Sequence, residues 1–168
     1  EGLKCWKTTM DNIDKSVWFA ASTRNGQWKK ISLKLSELGI SFYIPKVYNT
    51  LLFLHTSKAR ALSLVNSGEI SARFLIDHTT HTLLEVPAKQ MEDFIRVLED
   101  YPDAECTNDF SFAKGDRVIV THGSLKGVEG EVVESPGGTY LVVSVSSLLA
   151  AKVRISRNNV APTGKNYR

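Results

Sequence analysis

The sequence predicts an α+β fold in two parts: a four-stranded antiparallel, ferredoxin-like sheet with helices packed on it, then a small β-barrel. Three observations carry this. Between residues 17 and 100, apolar patterns of strand and helix type follow in the order β-α-β-β-α-β-α. Residues 101–113 are acidic and break every periodicity. Beyond them apolar residues alternate in short runs divided by glycine-rich turns, with no helical pattern. The 168 residues suit one ordinary domain or two small ones, and a composition of 42% hydrophobic and 23% charged residues supports folded cores. The expected parts are an arm over 1–15, an α+β domain over 16–100, a linker over 101–113, a barrel over 114–162 and a tail over 163–168.

Residues 1–15 are polar and unpatterned apart from Trp6. Val17-Trp18-Phe19-Ala20-Ala21 is strand-like. Asn25-Gly26 makes a turn into a helix over Gln27 to Leu38, where Trp28, Ile31, Leu35 and Leu38 form one apolar stripe. Gly39 stops it. Ile40 to Ile44 is a second strand ended by Pro45, and Leu51 to Leu54, apolar on both faces, is a central third. Ser57 caps a helix from Lys58 to Val65, terminated at Asn66-Ser67-Gly68. Ala72 to Ile76 is the fourth strand. Pro87 suits the first turn of a helix to about Asp100, with Met91, Phe94, Ile95 and Leu98 as its buried stripe.

In the second part, Asp116 to Thr121 places Val118 and Val120 on one face, and Gly130 to Glu134 alternates again. Pro136-Gly137-Gly138 makes a hairpin turn. Thr139 to Ser144 and Ala151 to Ile155 follow, giving four or five short strands.

Several function classes are excluded or disfavoured. No apolar run approaches the roughly 20 residues that cross a bilayer, and no signal-peptide pattern opens the chain. The first residue is Glu1, so an initiator Met is expected to have been removed. Cys5 and Cys106 make no disulfide framework, which points to a reducing, cytoplasmic compartment. His78 and His81 would project to opposite faces of an extended strand, so no metal site is expected. No phosphate-binding loop ends in Lys-Ser/Thr and no catalytic spacing is present, so no enzyme activity, catalytic residue or cofactor is expected. Cys106 reads as inert.

The net charge of +3 is unevenly spread. Residues 1–75 carry a balance of +6, residues 76–113 of −7 and residues 114–168 of +4. A chain of this kind suits contact with a polyanion on one side only.

Residues Lys114 to Val132, with Gly115, Val118, Val120, Gly123, Leu125, Gly127 and Gly130 at their spacing, resemble a KOW motif, the signature of an SH3-like barrel. Val118 and Val120 enter the core, Gly123 permits a turn at positive φ, Leu125 folds back, and Gly127 and Gly130 let two strands pass closely. Trp18-Phe19-Ala20-Ala21, Arg24, Gly26-Gln27, the basic helix, Ile44-Pro45 and Leu52-Phe53-Leu54 resemble the amino-terminal (NGN) domain of NusG-like transcription elongation factors. The resemblance spans about residues 17–162, and Leu141 to Val153 resembles the specialised UpxY-type antitermination paralogues of polysaccharide operons.

The resemblance implies a factor that grips elongating RNA polymerase through an apolar concavity on its first domain, docking a coiled coil of the clamp, and reduces pausing or termination. Ser22, Leu51, Phe53 and Phe74 match that surface, Leu51 standing where many relatives have Tyr. Arg24, Lys30 and Lys34 match positions that touch the non-template DNA strand, and their charge suits phosphates. It implies further that the barrel, on a flexible linker, recruits a ribosomal protein or Rho, and that the protein is a monomer with no membrane partner. The connection from Pro45 to Leu51 is shorter than in relatives, or lacks residues. A second reading is a ribosome-associated or RNA-binding KOW protein using Lys126, Lys152, Arg154 and Arg157.

Overall fold

The computed structural model describes residues 15–111 and 115–163. Trp6, Cys5, the rest of the expected arm up to residue 14, Lys114 and residues 164–168 lie outside the described residues. The fold is α+β, with antiparallel sheets and, among the described residues, three α-helices. The chain divides into two compact units, 1–86 and 87–168.

In the first unit, β1 (Val17–Ser22) is followed by α1 (Trp28–Glu37), β2 (Ser41–Tyr43), β3 (Leu51–Thr56) and α2 (Lys58–Asn66). Then come β4 (Arg73–Phe74), β5 (Ile76–Asp77), β6 (Thr82–Leu83) and β7 (Glu85–Val86). The main sheet runs β2-β3-β1-β4, with β7 also on β1. β1 and β3 pair over their full length, from Val17↔Thr56 to Ser22↔Leu51. Their continuous apolar sequence follows from an interior place in the sheet. Phe19, Ala21, Leu52, Leu54 and Phe74 point to one face and build a core with Ile31 and Leu35 of α1 and Ala61 and Leu64 of α2.

Both helices start and stop where local chemistry says they should. Gly26 and Gly39 adopt φ of 82° and 70° on either side of α1, a conformation that costs glycine nothing. The Ser57 side chain accepts a hydrogen bond from the Arg60 amide at 3.3 Å and so caps α2. The chain is continuous from Ile44 to Leu51, so the connection between β2 and β3 is a short turn, closed by Leu51 N–H donating to Tyr48 O at 3.0 Å.

The expected fourth strand is split. Ala21 pairs with Phe74, but Phe19, two residues back, pairs with Glu85. Eleven residues separate the two partners instead of two, an insertion of nine. The insertion leaves the sheet as the β5–β6 hairpin, its neck closed by Leu84 N–H to Leu75 O at 2.9 Å.

The second unit opens with α3 (Ala88–Asp100) and β8 (Glu105–Thr107), then β9 (Asp116–Val120), β10 (Glu129–Ser135), β11 (Gly138–Val145), β12 (Leu149–Arg154) and β13 (Val160–Pro162). The strands form one antiparallel sheet in the order β13-β9-β10-β11-β12-β8. Val118, Val120, Val132, Leu141 and Val153 are buried in its core, as is Leu125 from the β9–β10 loop.

Two boundaries differ from the sequence-based expectation. The first domain was expected to run to residue 100, yet α3 belongs to the second unit and packs on β11 and β12. Its buried stripe is Met91, Phe94 and Val97, with Ile95 and Leu98 half-buried. The stretch expected as a linker contains β8, whose Cys106 pairs with Ala151. An apolar stripe says that a helix is buried and is silent on which sheet buries it, and a three-residue edge strand carries no readable alternation.

Candidate functional site

The four residues expected to contact polymerase divide between the two faces of the first sheet. Ser22 is directly opposite Leu51, and Phe53, paired with Ala20, shares their face. Phe74 pairs with Ala21 and lies on the other face. There it joins the core, with its ring edge-on to Phe19 at 6.1 Å between centroids. Phe74 is therefore a packing residue, a correction that follows from register alone. Phe53 is fully buried, so it does not line an open hollow either. Ser22 and Leu51 remain half-exposed at the end of the face. Arg73, exposed and paired with Ser22, joins them. Sequence reading missed Arg73 because only cross-strand register brings it there.

Of the basic residues, Arg24 follows this end directly along the chain, and Lys30 and Lys34 stand on α1, which packs on the opposite face of the sheet. Thr23 N–H donates to Thr50 O at 2.8 Å, and Thr23 Oγ1 donates to Ser71 O at 2.7 Å, fixing the backbone just before Arg24. Arg24 sits in the turn entering α1, where Gln27 N–H donates to its carbonyl at 3.2 Å. Lys30 and Lys34 are four residues apart on α1 and so lie on one side of it. Arg24 and Lys30 are exposed and Lys34 is half-exposed. Among the described residues, none forms an ion pair with these three cations. Trp28, expected in the core, is half-buried, with the Lys29 ammonium 5.4 Å from its ring centroid.

The four cations of the ribosome-associated reading, Lys126, Lys152, Arg154 and Arg157, are differently placed. The Lys152 ammonium sits 4.5 Å over the Tyr140 ring. Arg154 donates to the Gly137 carbonyl, and Arg157 pairs with Glu134. That bond, and then Thr139, hold the Glu134 carboxyl below its ordinary range. Lys126 alone of the four is exposed with its side chain unengaged among the described residues.

The β9–β10 loop that bears Lys126 is tied to α3 by side chains that reach its backbone. Arg96 donates to Ser124 O at 2.6 Å and Lys126 O at 2.8 Å, and Lys89 donates to Gly127 O at 2.8 Å. The buried Asp93 carboxylate accepts from Lys89 at 2.8 Å and from the Glu129 amide at 3.1 Å. Gly123 and Gly127 turn the loop at φ of 90° and 93°. A Cβ on Gly130 would stand 2.6 Å from the Val142 carbonyl, so only glycine fits where β10 and β11 pass.

The remaining titratable groups are structural. His55 packs on Trp18 at 5.0 Å between ring centroids, and burial lowers its pKa. Burial pushes the Cys106 thiol up to about 11, so little thiolate forms at neutral pH. His78 and His81 lie in the turn of the β5–β6 hairpin and not on a straight strand. Asp77 organises that turn by accepting from the Thr79 amide at 2.8 Å. No protein-family model and no curated protein matches the chain.

Proposed function

We propose that this protein is a NusG-like transcription elongation and antitermination factor, with an NGN-type, ferredoxin-like first unit and a KOW-type, SH3-like barrel in the second, acting at specific operons such as those for polysaccharide biosynthesis. The strand order β2-β3-β1-β4, with α1 after β1 and α2 after β3, is that of a ferredoxin-like sheet and supports the first half of this reading. The glycines of the KOW-like segment meet the steric demands that the motif makes, which supports the second.

The observation that favours a transcription factor over a ribosome-associated KOW protein is where the uncommitted cations lie. Arg24, Lys30 and Lys34 of the first unit face outward without ionic partners among the described residues. In the second unit three of the four cations that the ribosome-associated reading would use, Lys152, Arg154 and Arg157, are engaged by Tyr140, Gly137 and Glu134, which leaves it Lys126. Nucleic acid therefore meets the first unit, next to the Ser22–Leu51 end that we assign to the polymerase clamp.

The mechanism is non-enzymatic and needs no cofactor. Leu51 and Ser22 contact the clamp, while Arg24, Lys30 and Lys34 neutralise phosphates of the non-template strand. A factor that binds the active, closed polymerase better than the paused one shifts the population by that difference in affinity. The second unit is left to recruit a further partner, a ribosomal protein or Rho, in a cytoplasmic setting. Single-round transcription on templates carrying pauses and a terminator tests the proposal. Readthrough and elongation rate rise with the protein present, and Leu51→Asp abolishes the gain. Unchanged readthrough, or retention by ribosomal subunits in place of core polymerase, overturns it.

A further inference from the structure

We infer that the basic surface of the first unit does not end with α1 but crosses to α2 through Arg60, forming one strip, Lys30–Lys34–Arg60, that takes consecutive phosphates of a nucleic-acid backbone. The inference rests on the DNA contact proposed above for Arg24, Lys30 and Lys34.

Lys30, Lys34 and Leu38 follow one another at four-residue steps along one side of α1 and its cap. A polyanion lying along that row next meets the carbonyl-rich end of the helix, the negative pole of its dipole, which repels it. Here the structure supplies a cation. Arg60 Nη2 donates to the Leu38 carbonyl at 3.2 Å, across 22 residues of sequence. The bond uses one of the five N–H donors of the guanidinium, and Arg60 is exposed. The negative pole is thus covered by a group that still presents donors to solvent.

Charge along the path is one-sided. α2 contains no acidic residue, and α1 contains only Glu37. The eight residue steps from Lys30 to Leu38 span about 12 Å, about three to four phosphate steps of one strand at a 3.4 Å rise. Backbone recognition fits this path better than base stacking. Trp28 is half-buried with Lys29 over its ring, and the exposed apolar side chain of α1, Leu33, has no π-face.

Fluorescence anisotropy of the full chain with a labelled DNA duplex and with its separated strands, titrated with salt, tests this. Arg60→Gln weakens binding about eightfold at 0.1 M salt and lowers the log–log salt slope by about 0.9 on duplex or 0.7 on single strands, the share of one phosphate. Arg60→Lys restores most of it. Ser63→Glu, which sets a carboxylate one turn from Arg60 without touching Leu38, weakens binding in the same direction and covers the case in which Arg60→Gln lowers the thermal midpoint. If Ser63→Glu and a folded Arg60→Gln bind as the wild type does while Lys30→Ala/Lys34→Ala binds weakly, the strip ends at α1. The inference then falls and the DNA contact stands. If Lys30→Ala/Lys34→Ala binds as the wild type does, or the wild type binds neither probe, both fall.

Discussion

Phe74 and Leu51 illustrate how much one residue step in a strand decides. Both are apolar and both were expected on a docking surface, yet Phe74 packs edge-on to Phe19 in the core while Leu51 sits half-exposed opposite Ser22. Phe74→Ala is expected to cost about 3–5 kcal/mol through the cavity it leaves, read as a lower denaturation midpoint. Leu51→Asp is expected to leave that midpoint close to wild type and to remove polymerase binding. His55 makes a prediction of the opposite kind. Burial lowers its folded pKa below the ordinary 6.5, so the unfolded chain binds its proton more readily. The stabilisation from a neutral His55 is full above pH 6.5 and is lost as pH falls below it; His55→Gln is expected to flatten that part of the stability–pH curve. Cys106, its pKa near 11, is expected to react with iodoacetamide at pH 8 far more slowly in the native Cys5→Ser protein than after unfolding. In the sequence the expectation of an inert Cys106 rested on its place in the acidic 101–113 stretch; the strand pairing with Ala151 that goes with its burial is shown by no local pattern.

At the level of elements, the longer strands and the helices were readable because their apolar residues repeat with period two or at spacings of three and four, whereas the two- and three-residue strands β7, β8 and β13 were not. What could not be read was partnership. The stripe of α3 is as clear as that of α1, but its polar residues reveal where it belongs. Lys89, Asp93 and Arg96 are spaced to lie on one side of the helix and engage the backbone from Ser124 to Glu129. These are side-chain-to-backbone bonds between segments about 30 residues apart, and backbone acceptors leave no trace in sequence. Asp93→Ala is expected to destabilise the second unit by about 1–2 kcal/mol, since it leaves the half-buried Glu129 amide without its acceptor. Faster amide exchange at Val128 and Glu129 is the accompanying signature. The basic side of α1 was legible from charge spacing, whereas Arg60 became part of the same surface only through its bond to Leu38.

On the scale of the whole chain, the division at Val86 and Pro87 predicts the outcome of dissection. A fragment covering 87–168 is expected to unfold cooperatively, with sharp amide dispersion in its NMR spectrum. One covering 114–168, which lacks α3 and β8, is expected to expose the surfaces those elements cover and to lose that cooperativity. The interrupted edge of the first sheet has a different consequence. β4 and β7 each hold their own register on β1, and the insertion returns to the sheet through the Leu75–Leu84 neck, with Leu83 packed on the core and the turn at residues 78–81 exposed. Lengthening such an excursion costs only about 0.6 kcal/mol for each doubling. The tip at Thr79 and Thr80 is thus a natural acceptor for a grafted epitope or fluorophore tag, which would report on the protein without shifting a single rung of the ladder beneath it.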